Sequence, residues 1–169
     1  VATRNELVGA DIVFLTADYD GALPLIAQLL PEAGVNPATV QYAGVAQWDV
    51  LPSAFNLPGI QGGWFALPSP IRTQQFRERI QTIYQTTPHP IAAIAYDGVA
   101  AVGASIATGN RNALTTKGLT LSDGFQGAAG IFRLRKDGTV ERGLAIATIE
   151  GNQVIVIDEA PRTFYNFGF

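Results

Sequence analysis

The sequence predicts an α/β fold: a twisted, mostly parallel sheet flanked by helices, extended near its C-terminus by antiparallel hairpins. Three observations carry this prediction. Short apolar, β-branched runs alternate with helical apolar spacing over the first two thirds of the chain. After Gly124 the period changes to two, with turn residues between the runs. The composition, 47% hydrophobic against 15% charged, supplies a core and excludes a disordered chain. At 169 residues the chain is long enough for one well-buried domain.

Residues 3–9 (TRNELVG) read as the last turn of a helix, with Gly9 suited to its C-terminus. Residues 11–16 (DIVFLT) form the first strand. In the segment that follows, Ala22, Leu25, Ile26, Leu29, Leu30 and Ala33 have the spacing of one helical face, and Gly34 stops the helix. Residues 40–43 make a second strand, completing a βαβ unit with a right-handed crossover. Residues 52–58 form an irregular connector, and 61–67 a third strand ending at Pro68. Ser69 is placed to N-cap a helix with Pro70 at its first position, where the missing N–H costs nothing, and Phe76, Ile80, Ile83 and Tyr84 mark its buried face. His89-Pro90 opens a further helix, 91–108, rich in Ala and Gly; interrupted by Asp97, it is expected to pack internally rather than to span a membrane. Residues 131–135 alternate, Asp137-Gly138 turns the chain, 140–149 return as one long strand, and residues 150–152 turn into 154–157.

The candidate chemistry is that of binding. A net charge of −3 and the lack of a long basic cluster exclude a nucleic-acid partner. With no Cys and one His (His89, between two prolines), thiolate and most imidazole chemistry is gone, so no metal or cofactor is expected. The four serines include no nucleophile elbow, and the glycine-rich stretch 124–130 precedes a strand and lacks the Lys-Ser/Thr of a phosphate loop. Asp18 with Asp20 is the one candidate carboxylate pair. In open α/β sheets ligands collect beyond the carboxyl ends of the strands, which points to Asp18, Tyr19 and Asp20, then Gln47, Trp48 and Asp49, then Pro68 and Ser69. Carboxylates can hold an ammonium or hydroxyl while Tyr and Trp rings cover the apolar part of a small polar solute. The alternative readings are that Asp20 caps the following helix and that Trp48 plugs the sheet end. Tyr96-Asp97 reads either as a cleft-facing pair or as an Asp near the helix start, favoured by the macrodipole or pointing to water.

Taken in order, ADIVFLTADYDGALPLIAQLLPEAG, GIQGGWFALPSP, HPIAAIAYDGVAAVGASIA and FQGAAGIFRLRKDGTVERGLAIATIEG resemble the second half of a type I periplasmic binding protein. More narrowly they resemble the lipoproteins that act as penicillin-binding protein activators. The resemblance covers nearly the whole chain and implies a periplasmic-binding-protein-like I fold, here an incomplete two-lobed clamshell. It implies a second lobe from about 1–68 and 131–158, with about 69–125 returning to the first lobe. It further implies a non-enzymatic portion of an extracellular solute-binding protein that takes a small polar solute such as an amino acid between lobes for an ABC permease. The ligand contacts would be Asp18, Tyr19, Gln47, Trp48 and Tyr96; the acid common after the second strand in amino-acid binders is replaced here by Gln47 or Trp48. In the activator group the same fold regulates a peptidoglycan synthase through protein contacts. Both readings imply a periplasmic location, and the resemblance to the activator lipoproteins further implies an upstream lipid-modified cysteine as anchor.

The chain opens on Val1 and contains no Met, which predicts a mature, cleaved or excised piece. The helices between Ser69 and Gly109 are then expected to leave apolar surface for the missing half or another chain to cover. The tail aromatics Phe164, Tyr165, Phe167 and Phe169 are expected to pack on their own sheet.

Overall fold

A computed structural model of the protein describes Leu7 and residues 9–45, 48–50 and 52–164. In chain order the elements are β1 (Ile12–Leu15), α1 (Leu23–Glu32), β2 (Gln41–Gly44), 3-10 turns at Trp48–Val50 and Pro52–Ala54, β3 (Trp64–Leu67), α2 (Pro70–Tyr84), α3 (Ile91–Ala107), α4 (Thr116–Leu119), β4 (Phe125–Gly127), β5 (Gly130–Leu134), β6 (Val140–Arg142), β7 (Ala145–Glu150) and β8 (Gln153–Asp158). The chain forms two compact units, Val1–Leu67 with Ile146–Asp158, and Pro68–Ala145 with Glu159–Phe169. The reading of residues 3–9 as a helix end falls almost wholly outside the described residues.

The first unit carries a five-stranded sheet in the order β1-β2-β3-β7-β8. β1, β2 and β3 run parallel, with Leu15 opposite Gly44 and Gly44 opposite Phe65; β7 and β8 are antiparallel, with an irregularity between Ile146 and Ala147. Alternation along the parallel strands buries Val13, Leu15, Tyr42, Phe65 and Leu67 on one face. Each such large side chain contributes about 1.5–3 kcal/mol by leaving water. Ile12, Phe14 and Trp64 stand exposed on the opposite face.

Helix α1 starts and stops where its spacing predicts, but its buried stripe is rotated. Leu23 and Ala27 are buried while Leu25 and Leu29 are exposed. The cause is the connector before β3: the Gly59 N–H donates to the Ala27 carbonyl at 2.9 Å, and a Cβ on Gly59 would lie 2.6 Å from that oxygen. Only a small helical residue admits this approach, so Ala27 turns inward. Asp20 does not cap the helix. Ala22 occupies the N-cap with no side-chain bond, and the Asp18 carbonyl accepts the N–H groups of Gly21 and Leu23 instead.

In the second unit Ser69 is the N-cap of α2 with proline next to it, but its side chain makes no capping bond. Phe76 is buried and Ile80 packs beside Ala93 and Ala129, whereas Ile83 and Tyr84, expected inside, are exposed near the C-terminal end. Helix α3 buries a single i, i+4 row, Ala93, Asp97, Ala101 and Ser105, and leaves Ile91, Ile94, Val99, Val102 and Ile106 exposed. It is therefore not packed on all sides, and it carries the apolar surface expected between residues 69 and 109. Among the described residues no helix is long and apolar enough to cross a membrane.

A three-stranded antiparallel sheet, β4-β5-β6, completes this unit. Its Asp137-Gly138 turn forms as expected: the Asp137 carboxylate accepts the Thr139 N–H at 2.9 Å, and Gly138 has φ +85°. The long return strand expected over 140–149 is instead two strands in different sheets. The break falls at Gly143, where a Cβ would lie 2.6 Å from Pro161 and 2.7 Å from Ile131, so the backbone is pinched and β6 ends. Phe164 is buried, with the Arg133 guanidinium 4.5 Å above its ring. Tyr165, Phe167 and Phe169 lie outside the described residues.

Candidate functional site

Parallel pairing brings the carboxyl ends of β1, β2 and β3 to one edge of the first unit's sheet. Residues 16–20 leave β1 there and Val45 leaves β2 there. Asp18 is exposed and Tyr19 half-buried, and neither side chain makes a hydrogen bond among the described residues. Their backbone is nevertheless fixed, because the Asp18 carbonyl accepts two N–H donors at 3.1 and 3.2 Å from the turn into α1. The edge thus presents a free carboxylate and a phenol ring on a held loop.

Trp48 has a different place. Its side chain is packed away, 2% exposed, and stacks on Phe65 with ring centroids 5.8 Å apart. The slot for the indole exists because Gly44, at the end of β2, and Gly63, just before β3, have no side chains. A Cβ would fall 2.4 Å from the ring at Gly44 and 2.5 Å at Gly63. Trp48 therefore plugs the sheet end. Beside it Asp49 is partly buried, and loss of hydration raises its carboxyl above the usual carboxylate range, opposed in part by a backbone hydrogen bond. Gln47 lies outside the described residues.

Tyr96 belongs to the second unit. It is 43% exposed, with its ring tilted against Phe76 at 5.3 Å between centroids. The next residue, Asp97, is neither near solvent nor favoured by a helix end: it is 0% exposed. Its carboxylate accepts from the Arg142 guanidinium at 2.7 Å and from the Ala128 N–H. Gly127 faces the same carboxylate, and a Cβ there would lie 2.5 Å from it. The glycine-rich stretch 124–130 thus serves close approach to a buried anion of the protein itself. Arg142 in turn lies over the Phe132 ring at 4.9 Å. Sequence reasoning missed this tie between α3, β4 and β6. The available signal was a lone carboxylate in an Ala/Gly-rich helix, which must find a cation if buried.

The arrangement at the strand edge can accept hydrogen bonds from an ammonium or hydroxyl at Asp18 and cover an apolar group with Tyr19. No nucleophile with an adjacent base accompanies it among the described residues, and no group of three or more His, Asp or Glu side chains is gathered there to hold a metal ion.

Comparison with solved structures places this fold beside solute-binding proteins. A provisionally assigned branched-chain amino acid ABC transporter protein from Rhodospirillum rubrum superposes with a TM-score of 0.70 at 19% identity, over 92% of this chain and 47% of that one. The leucine-binding protein LivK from Thermotoga maritima gives a TM-score of 0.59 at 17% identity, covering 94% of this chain and 47% of its own. The C-domain of LpoA from Haemophilus influenzae, a regulator of PBP1A, gives 0.52 at 11% identity, covering 92% and 48%. The chain spans about half the length of each. No curated protein matches. A periplasmic binding protein family matches residues 2–153, nearly the whole sequence, and the chain belongs to that family.

Proposed function

We propose that the protein is a non-enzymatic, periplasmic solute-binding protein that takes a small polar solute, such as an amino acid, for delivery to an ABC permease. The observation that carries this reading is the free Asp18 carboxylate and Tyr19 ring, held at the carboxyl edge of a parallel sheet, where open α/β folds bind ligands. Asp18 would take the solute's ammonium or hydroxyl, Tyr19 would cover its apolar part, Gln47 would add a polar contact, and Trp48 would floor the site. Tyr96, the remaining contact that the family resemblance implies, belongs to the second unit. In this reading residues 1–68 and 131–158 serve the second lobe of a clamshell and 69–125 return to the first. The exposed apolar row of α3 supports a covering of that segment by further protein.

The test is thermal unfolding of the complete protein against a panel of amino acids and small neutral hydroxyl compounds. A bound solute at one hundred times its Kd adds about 2.7 kcal/mol of stability. Asp18→Ala should weaken binding of the active solute about tenfold or more, the value of a charge-assisted hydrogen bond. A panel with no stabilising member contradicts the reading.

A second reading, regulation of a peptidoglycan synthase by protein contact, is favoured by the same apolar row on α3 and by the shared fold of the LpoA domain. Pull-down from envelope extracts separates the two: this reading requires capture of a transpeptidase-type synthase, and capture of a transport permease contradicts it.

A further inference from the structure

The second unit contains a cavity of about 590 Å³ far along α3 from Tyr96. It lies where the last turn of α3 (Ala104, Ser105), the residues after it (Thr108, Asn110, Asn112), α4 (Lys117) and the start of β4 meet. This volume falls in the range of small-molecule sites. Its apolar wall is formed by Ala104, Ala113, Leu121 and Phe125.

The polar groups of the wall are unevenly occupied. Thr108 donates its hydroxyl to the Ser105 carbonyl at 2.7 Å and accepts the Asn110 N–H. Thr115 donates to the Asn112 carbonyl and accepts the Gly118 N–H at 3.3 Å. The Asn110 side-chain oxygen accepts the Asn112 N–H. What remains is a set dominated by donors: the Lys117 ammonium, the carboxamide N–H groups of Asn110 and Asn112, and the Ser105 hydroxyl. Ser105 is the decisive group. It is 5% exposed, its Oγ is buried, and that atom has no hydrogen-bond partner. A buried hydroxyl left unpaired is costly, and native proteins pair nearly all such groups with protein, water or ligand. No Asp or Glu lines the cavity, so nothing there opposes an anion.

We infer that this cavity is a binding site for a small monocarboxylate with a short hydrocarbon body. Lys117 holds the carboxylate at the rim, Ser105 donates from the buried wall, and Leu121 with Phe125 covers the hydrocarbon. The inference does not depend on the solute site at the strand edge.

The probe is sodium pentanoate, titrated into the isotope-labelled full chain and followed by amide NMR, with 1-pentanol and pentylammonium as controls. Pentanoate should shift the amides of Ser105, Ala113, Gly118 and Leu121, and the two controls should not match it. Lys117→Gln should weaken the response about tenfold, as should Ser105→Ala, since each removes a charge-assisted hydrogen bond. Ser105→Ala should leave the unfolding midpoint unchanged or raised, because it deletes an unpaired hydroxyl, which separates a ligand role from a packing role. Equal response to pentylammonium, shifts confined to residues 16–20 and 45–50, or a crystal structure showing an ordered water only at Ser105 would each overturn the inference.

Discussion

Replacing Asp97 with Ala removes a carboxylate that is completely buried and is the only ion-pair partner of Arg142 among the described residues. The Arg142 side chain is itself 15% exposed, so the variant leaves a nearly buried guanidinium without its counter-charge and the Ala128 N–H without its acceptor. Breaking a buried pair from one side costs about 3–5 kcal/mol, against about 0–1 for an exposed pair. At roughly 2–4 °C per kcal/mol for a chain of this size, the midpoint should fall by about 6–20 °C. Far-UV circular dichroism is the suitable assay, because α2, α3 and α4 all lie in the second unit. Both tryptophans, Trp48 and Trp64, lie in the first, so their fluorescence reports that unit separately. A cycle through Arg142→Met and the double variant isolates the pair: the double variant should recover part of the loss, since it removes the stranded charge. A loss below about 1 kcal/mol for Asp97→Ala, the range of an exposed pair, would refute the reasoning.

Gly44→Ala places a methyl group 2.4 Å from the Trp48 ring. Overpacking of this kind costs about 1–3 kcal/mol and should expel the indole, seen as a red shift of tryptophan emission in the folded protein; unchanged emission contradicts the slot. Gly127→Ala meets the Asp97 carboxylate at 2.5 Å and should lower the midpoint without altering Trp emission at low temperature. The hydrogen bonds from Arg133, and then Arg135, hold Glu141 well below the usual carboxylate range, at about 2. A lowered folded value means the stabilisation is complete above the unfolded value of 4.5 and is lost as pH falls toward 2. The stability difference between wild type and Glu141→Gln should therefore shrink between those pH values, while a carboxyl titrating near 4.5 by NMR would contradict the cause given.

The local rules were legible. The βαβ unit, the proline start of α2 and the Asp137-Gly138 turn follow from spacing and turn chemistry within a few residues of each other. What escaped the sequence was decided by distant groups. In α1 apolar residues occupy two overlapping registers, and the one buried is chosen by Gly59, whose backbone demands Ala27. The strand over 140–149 reads as continuous because its break is set by Pro161 and Ile131 packing on Gly143. Asp97 and Arg142 stand 45 residues apart, and no local pattern links them. At the candidate site the position of Asp18 and Tyr19 was readable from the strand-end rule, whereas the burial of Trp48 depended on two glycines far apart in sequence, one ending β2 and one preceding β3.

The most direct measurement of the central claim is a crystal structure of the complete protein grown with the solute that stabilises it most. Solute density is expected at the carboxyl edge of β1 and β2, its donor group on the Asp18 carboxylate and its apolar part against Tyr19. Solute density away from residues 16–20 and 45–50 would contradict that claim.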